Sequence, residues 1–151
     1  MTAFRFRRAE DSDAALAEGI THRAYAKWVP IIGRPPKPMT ADYRQAVRDH
    51  VIDLLMDETG DVVGLVELIP ADDHWLIENV AVDPAHQGKG FGRTLVAHAE
   101  DITRSAGKTL IRLYTNKLFA ENVALYARLG YAIDREEEFR GGIVVHMSKR
   151  L

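Results

Sequence analysis

The chain has 151 residues, of which 46% are hydrophobic and 28% charged, and its net charge is −2. This size and composition are typical of one globular domain covering residues 1–151. The slightly negative charge gives no basic footprint, so no nucleic-acid partner is expected. With zero cysteines, disulfides, thiolate nucleophiles and cysteine-based zinc sites are excluded.

Membrane and metal signals are weak in this chain. No apolar run approaches the roughly 20 residues that cross a bilayer, and residues 1–8 lack the apolar segment of a secretory signal. We therefore expect no membrane partner and a cytoplasmic location. The six histidines do not pair at metal-ligand spacing, so no metal site is predicted.

The N-terminal quarter predicts a strand, a helix and a stiff loop. Phe4 and Phe6 alternate with arginines, which indicates a strand. Apolar residues recur at helical spacing over residues 16–28, and Pro30 should end that helix. Three prolines within residues 31–39 favour a loop or extended stretch, because proline disfavours helix at the residue before it.

The next segment predicts a short helix and a meander of strands. Thr40 is a candidate N-cap for the helix. Three strand candidates follow at residues 51–56, 62–69 and 75–82, separated by turn-forming residues. The third is apolar without strict alternation, which indicates that both of its faces are covered.

The second half of the chain predicts two helices among the remaining strands. One helix begins at Phe91 and stops at Gly107, a strand follows at 109–115, a helix at 119–129, and a hairpin closes the chain. The element order is β-α-α-β-β-β-α-β-α-β-β. It predicts an α/β fold of the α+β type: a mixed, mostly antiparallel sheet of about seven strands with about four helices on both faces.

Three glycines at 88, 90 and 92 lie between the third meander strand and the following helix. Amides converging there, at the positive end of the helix dipole, predict a phosphate or pyrophosphate site. The Walker A pattern is absent, and the dinucleotide fingerprint would need a glycine at Arg93. A third pattern, Gln/Arg-x-x-Gly-x-Gly, fits Gln87, Gly90 and Gly92.

Three segments together carry a family resemblance: Asn-Val-Ala-Val-Asp-Pro at 79–84, the glycine loop at 87–92, and Asn122-x-x-x-Tyr126-x-x-x-Gly-Tyr. In this order and spacing they resemble the GNAT family of N-acetyltransferases, and the likeness covers nearly the whole chain. The resemblance implies a GNAT fold, a single N-acetyltransferase domain and acetyl-CoA as the cosubstrate.

The resemblance also implies how coenzyme A is held. Its pyrophosphate would lie on the amides of the glycine loop, and its pantetheine arm would pair with the strand at 75–82. That strand should then splay from the strand at 109–115, with a bulge near Asn79 or Val80. The implied cofactor-binding residues are Val80, Ala81, Val82, Gln87, Gly88, Lys89, Gly90, Phe91, Gly92, Arg93 and Asn122.

Acetyl transfer needs a neutral amine, a stabilised oxyanion and a leaving thiolate that is protonated. Tyr126 matches the family tyrosine that protonates the sulfur, although a helix tyrosine with its ring in the core is the alternative. Glu78 is the leading candidate base because its strand should run beside the thioester. Glu67 on the preceding strand and a water molecule are rival bases.

The acceptor side has no sequence signature. Candidate substrate-binding residues are Tyr25, Trp28, Arg34, Tyr43, Asn79 and His146. The preferred hypothesis is transfer of acetyl to a primary amine of a small molecule. Acetylation of a protein lysine or N-terminus, and a non-catalytic acetyl-CoA-binding module, remain alternatives. A homodimer formed edge to edge through the closing strands is possible.

Overall fold

The computed structural model describes residues 4–151. The prediction of no secretory signal used residues 1–8, and residues 1–3 of that stretch lie outside the described range. Seven strands form one sheet in the order β1-β2-β3-β4-β5-β7-β6, and all neighbours are antiparallel except β4 and β5. This confirms the predicted sheet. The strands are β1 Phe4–Arg8, β2 Val51–Asp57, β3 Val62–Pro70, β4 Trp75–Val82, β5 Leu110–Asn116, β6 Ala132–Phe139 and β7 Gly142–Arg150.

The helices cover both faces of the sheet. They are α1 Ala14–Tyr25, α2 Val29–Ile32, α3 Tyr43–Asp49, α4 Phe91–Ser105 and α5 Ala120–Arg128. One core, with Ile20 and Leu54 fully buried, lies under α1 and α3, and the other, with Leu95 and Ile111, lies under α4 and α5. Burying each such aliphatic side chain stabilises the fold by about 1.5–3 kcal/mol. Within residues 4–151, no helix is long and apolar enough to span a bilayer.

The segment between α1 and α3 differs from its prediction. Pro30 does not end a helix; it lies in the first turn of α2, where no backbone N–H is needed. Residues 37–40 form a 3-10 turn, so residues 31–39 are not wholly irregular. The predicted cap Thr40 belongs to that turn, and Asp42 caps α3 by accepting from the amides of Arg44 and Gln45.

Strand β4 has the two features that position the site. It pairs with β5 only over three residues, Trp75 to Ile77, so the strands diverge beyond that point, as the resemblance implied. Opposite β3, Asn79 pairs with Glu67 and Ile77 with Leu68, which leaves Glu78 as an extra bulged residue. The bulge thus lies one residue before the predicted Asn79 or Val80.

Candidate functional site

The glycine loop ends at the N-terminus of α4, as its spacing predicted. Gly90 is the N-cap residue, with φ of 82°, a left-handed conformation that side chains with a Cβ disfavour. Gly88 has a similar φ of 80°. Helix α4 begins at Phe91, so its first amides point out of the helix toward the loop. Amides and helix dipole together form an anion site.

A cavity of about 660 Å³ opens beside this loop, and we call it the loop cavity. Its walls are the end of α1 with the turn that follows it, β4, the glycine loop, the start of α4 and helix α5. Predicted cofactor residues that line it are Val80, Val82, Gln87, Gly88, Gly90, Phe91, Gly92, Arg93 and Asn122. Two others do not: Ala81 is buried in the core under α1, and Lys89 lies exposed on the loop.

The diverging edge of β4 presents backbone groups to this region. The Val80 carbonyl accepts from the Tyr25 hydroxyl at 3.3 Å, and the Val82 carbonyl accepts from the Gln87 side-chain amide at 3.1 Å. Residues two apart on a strand direct these groups to the same edge. An extended amide-containing ligand can therefore add to this edge as a further strand.

Tyr126 lies on α5 at the wall of the loop cavity. Its ring is 9% exposed and packs edge to face against Tyr131. Burial raises the pKa of its hydroxyl to about 12, so the hydroxyl stays protonated at neutral pH and can donate a hydrogen bond. Its ring belongs to the core, as the alternative interpretation had it, and its side chain also lines the cavity; its role toward the sulfur stays a prediction.

A second cavity, of about 710 Å³, lies beside the β6–β7 hairpin, and we call it the hairpin cavity. Most of its lining comes from four separated segments: the proline-rich loop before α3, strand β4, the end of β5, and the hairpin itself. Tyr25 lines both cavities and so marks where they approach each other.

Glu78 lines the hairpin cavity and anchors a compact polar cluster. Tyr114 donates to its Oε1 at 2.8 Å, and the Lys37 ammonium lies 3.1 Å from the same oxygen. Lys37 also donates to the Tyr114 hydroxyl at 2.9 Å. These contacts raise the pKa of Lys37, with the Tyr114 hydrogen bond as the main cause, and burial raises the pKa of Tyr114 to about 12.

The hairpin contributes polar groups at the other end of this cavity. His146 lies with its Nε2 3.0 Å from a Glu137 carboxylate oxygen. The Arg34 guanidinium donates to the backbone carbonyl of Arg140 at 2.6 Å, which ties the proline-rich loop to the hairpin tip. Of the predicted substrate-binding residues, Tyr25, Arg34 and His146 line the hairpin cavity.

Three other predicted residues lie elsewhere. Trp28 lines the loop cavity, where its ring stacks on Phe119 at 4.4 Å. Tyr43 and Asn79 are buried and line neither cavity; Asn79 donates to the Tyr43 hydroxyl, which donates to the Pro38 carbonyl at 2.7 Å. They therefore hold the proline-rich loop against β4 rather than forming a cavity wall.

The rival base Glu67 is also interior. It is 2% exposed, lines neither cavity, and has its carboxylate 2.6 Å from His50 Nδ1. Burial raises the pKa of Glu67, and the His50 contact opposes that rise. Among the two glutamates considered as bases, only Glu78 lines a cavity.

Sequence reasoning missed Lys37 and Tyr114. Neither belongs to a motif, and their roles depend on the β4–β5 register, in which Ile77 pairs with Leu113 and so brings Glu78 beside Tyr114. The predicted splaying of these two strands was the available signal. It did not specify the register, because a parallel pair is joined by a long crossover and not by a tight turn.

Comparison with known proteins gives one family and several relatives. The family described as Acetyltransferase (GNAT) matches residues 19–131. Streptothricin acetyltransferase of Streptomyces lavendulae is 35% identical over 75 residues, which are 48% of this chain and 40% of that protein. The match thus spans less than half the length of that relative.

Solved structures agree in fold over the whole chain. The ribosomal-protein-S18-alanine N-acetyltransferase from Escherichia coli has a TM-score of 0.80 at 21% identity, covering 98% of this chain and 94% of its own. PaiA N-acetyltransferase from Thermoplasma acidophilum, in complex with coenzyme A, has a TM-score of 0.78 at 15% identity and 99% coverage of both chains. At these identities the likeness establishes the fold alone.

Proposed function

The chain belongs to the GNAT acetyltransferase family, and from this premise we propose that it transfers an acetyl group from acetyl-CoA to a primary amine of a small molecule. One observation carries the proposal. Two cavities approach each other at Tyr25, the first with an anion-binding helix terminus and Tyr126, the second with Glu78. A thioester held in one cavity is thereby presented to an amine held in the other.

Acetyl-CoA fits the loop cavity group by group. The pyrophosphate would lie on the amides between Gly88 and Arg93, where the α4 dipole and the Arg93 charge favour an anion. The pantetheine amides would pair with Val80 and Val82 on the diverging edge of β4, and Asn122 would contact the cofactor from α5. The thioester would then lie near Tyr126, at the end of the cavity nearest Tyr25.

The amine would bind at the Glu78 cluster. Lys37 supports this assignment, because its own ammonium lies 3.1 Å from the Glu78 carboxylate and forms an ion pair with it. An incoming ammonium would make the same charge-assisted hydrogen bond. Glu78 then takes a proton from it, leaving the neutral amine that can attack the carbonyl.

The transfer step balances as follows. An incoming ammonium first gives one proton to Glu78, which releases it to solvent. The neutral amine nitrogen then forms a bond to the acetyl carbon, the carbon–sulfur bond breaks, the second nitrogen proton passes to Glu78, and the thiolate is protonated from solvent. An ordinary thiol has a pKa of about 8.5, whereas burial raises the pKa of Tyr126 to about 12. The phenol therefore holds its proton more tightly than the sulfur, and Tyr126 acts as a hydrogen-bond donor that stabilises the developing thiolate.

A small acceptor is favoured by the walls of the hairpin cavity. The proline-rich loop and the β6–β7 hairpin face each other across it and are joined by the Arg34–Arg140 hydrogen bond. This closure leaves about 710 Å³, which lies in the range of small-molecule sites. The streptothricin-acetylating relative acts on a small molecule, in agreement with this choice.

The test is release of free CoA thiol from acetyl-CoA in the presence of a panel of primary amines, with mass spectrometry of the products. We expect an N-acetylated small amine and no acetylated protein in the same reaction. Tight CoA binding by calorimetry without turnover of any amine would instead favour a non-catalytic module. Acetylated lysines or N-termini on added protein would favour a protein acetyltransferase.

A further inference from the structure

The far end of the hairpin cavity carries two arginines. Arg34, from the loop after α2, and Arg140, at the β6–β7 tip, both line it. One Arg34 nitrogen donates to the Arg140 carbonyl at 2.6 Å, which fixes the Arg34 guanidinium and leaves its other donors available. The Arg140 guanidinium lies 5.1 Å from the centre of the Phe139 ring, so an aromatic face supports it.

The charges around this cavity are unevenly compensated. Glu78 is paired with Lys37, and Glu137 is paired with His146 and Arg135. In the described part of the chain, residues 4–151, Arg34 and Arg140 form no ion pair with a carboxylate. The uncompensated charge of the cavity is therefore positive, and it lies at the hairpin end.

Two side-chain nitrogens lie near one point at this end. The position where a Cβ would stand on Gly142 is 3.6 Å from Arg34 Nη2, 3.7 Å from Asn116 Nδ2 and 3.7 Å from the Phe139 carbonyl oxygen. The orientation of Asn116 is fixed, because its Oδ1 accepts from the Leu118 amide at 2.9 Å. A charged and a neutral donor thus face the small space left by the absent side chain.

The hairpin tip is strained in a way that favours a role for Arg140. It has φ of 50°, the only positive φ at a residue other than glycine within residues 4–151. Arg140 and Gly141 form a two-residue loop, and such loops favour asparagine followed by glycine. An arginine in this conformation is uncommon, and strained residues cluster at ligand sites.

We propose that this end of the hairpin cavity, formed by Arg34, Asn116 and Arg140, binds a carboxylate on the acceptor. The inference rests on the proposed function and specifies its substrate class: an amine that also carries an anionic group. A second ammonium, as in a polyamine, would meet uncompensated positive charge at this end and bind poorly.

The spacing of the two groups follows from β5. Tyr114 marks the amine end and Asn116 the carboxylate end, and they are two residues apart on one strand. At about 3.3 Å per residue, the backbone positions of these two residues are about 7 Å apart, which sets the scale of the separation. An extended ω-amino acid reaches across this distance, whereas the amine and carboxylate of an α-amino acid lie too close together.

The experiment compares matched amines in the acetyl-transfer assay. 5-Aminopentanoate is paired with butylamine, 6-aminohexanoate with pentylamine, and 1,5-diaminopentane represents a second cation. We expect kcat/KM for each ω-amino acid to exceed that of its carboxylate-free partner by about ten- to a hundredfold, the value of one charge-assisted contact. Equal values within each pair, or a preference for the diamine, would overturn the proposal.

Variants then locate the effect. Arg140→Asn keeps a residue suited to the turn while removing the guanidinium, and Gly142→Ala places a methyl at ordinary contact distance between the two donors. Both should raise KM for 5-aminopentanoate about tenfold relative to KM for butylamine. Arg112→Gln, at an exposed β5 position outside the cavity, is the matched control and should change neither amine.

A binding measurement separates this proposal from the catalytic one. Calorimetry of 5-aminopentanoate and butylamine with the CoA-loaded protein needs no turnover. Tighter binding of 5-aminopentanoate that is lost in Arg140→Asn supports the carboxylate site even if no amine is acetylated. Turnover of butylamine with no carboxylate preference, and no effect of Arg140→Asn on binding, would reject the site while leaving the acetyltransferase intact.

Discussion

The loop cavity and the hairpin cavity lie side by side but are built in different ways. The first takes its glycine loop from one continuous stretch, residues 87–93, and its remaining walls from β4, α5 and the end of α1 with the turn that follows it. The second is assembled from several segments that are distant in the chain. The difference teaches that a cavity wall made by local backbone geometry can be read from the sequence, whereas one made by tertiary contacts cannot.

The two cavities also differ in the groups that they present. Backbone amides, β4 edge groups and a helix dipole dominate the loop cavity, so few of its interactions depend on a particular side chain. The hairpin cavity presents Glu78, Lys37 and two arginines. Substitutions that keep the backbone should therefore affect the acceptor more selectively than the donor.

The largest expected effect tests the acceptor side. Glu78→Gln keeps an oxygen to accept from Tyr114 but removes the base, so kcat/KM for the amine should fall about 10³-fold, with CoA affinity unchanged. Steady-state kinetics over a pH series measures it. Glu67→Gln is the matched control; if it reproduces the loss while Glu78→Gln does not, the base is Glu67.

The next effect tests the chemistry of the donor side. Tyr126→Phe removes one hydroxyl that would stabilise the leaving thiolate, so kcat should fall about 10²-fold while the CoA dissociation constant changes little. Tyr131→Phe is the control, because the two rings pack 5.9 Å apart but the Tyr131 hydroxyl donates to Glu100. A comparable loss of CoA affinity in Tyr126→Phe would contradict the assigned role.

A smaller effect tests the backbone origin of the anion site. Gly90→Ala and Gly107→Ala place a methyl on residues with φ of 82° and 80° at opposite ends of α4, each with open space around the added atom. Both should lower stability by about 1–2 kcal/mol. Only Gly90→Ala should weaken CoA binding, by about tenfold, in calorimetry. Equal CoA affinity in the two variants would show that the glycine loop does not bind the pyrophosphate.

The smallest effect concerns Glu67, which lies behind the hairpin cavity. Because burial raises its folded-state pKa, this carboxyl contributes stability below its unfolded pKa, and that contribution is lost as pH rises through the folded value. Glu67→Gln should therefore gain stability relative to the parent as pH rises from about 4 to about 7. Urea unfolding across that range measures the difference in free energy of unfolding between variant and parent. If this difference shifts in favour of the parent as pH rises, the predicted direction is wrong.

The sequence was sufficient for the sheet and for the glycine loop at the start of α4. Strand and helix periodicities depend on residues close in the chain, so they predicted the seven strands and the start of α4 at Phe91. The anion site needs only glycines with positive φ and the first amides of a helix, all within residues 87–93. Tyr126 followed from the motif that resembles the family, and the structure places it at the loop cavity.

The region between α1 and α3 was not predictable in the same way. A 3-10 turn at Ala26–Trp28 follows α1, and its 3.0 residues per turn rotate the following residues away from the 3.6-residue pattern. This is why Trp28 faces the loop cavity instead of the acceptor side. Tyr43 is buried instead of lining a cavity, and this position depends on the hydrogen bond from its hydroxyl to the Pro38 carbonyl, which joins α3 to the preceding loop.

By itself, then, the sequence determined the fold class and the glycine loop that ends at the start of α4, because both depend on neighbours along the chain. Tertiary structure alone decided that Glu78 meets Tyr114 and Lys37, and that Arg34 meets Arg140. These side-chain contacts depend on the β4–β5 register, on the bulge at Glu78 and on the position of the hairpin tip. Such long-range pairings are fixed by the free energy of the whole core, which no local pattern encodes.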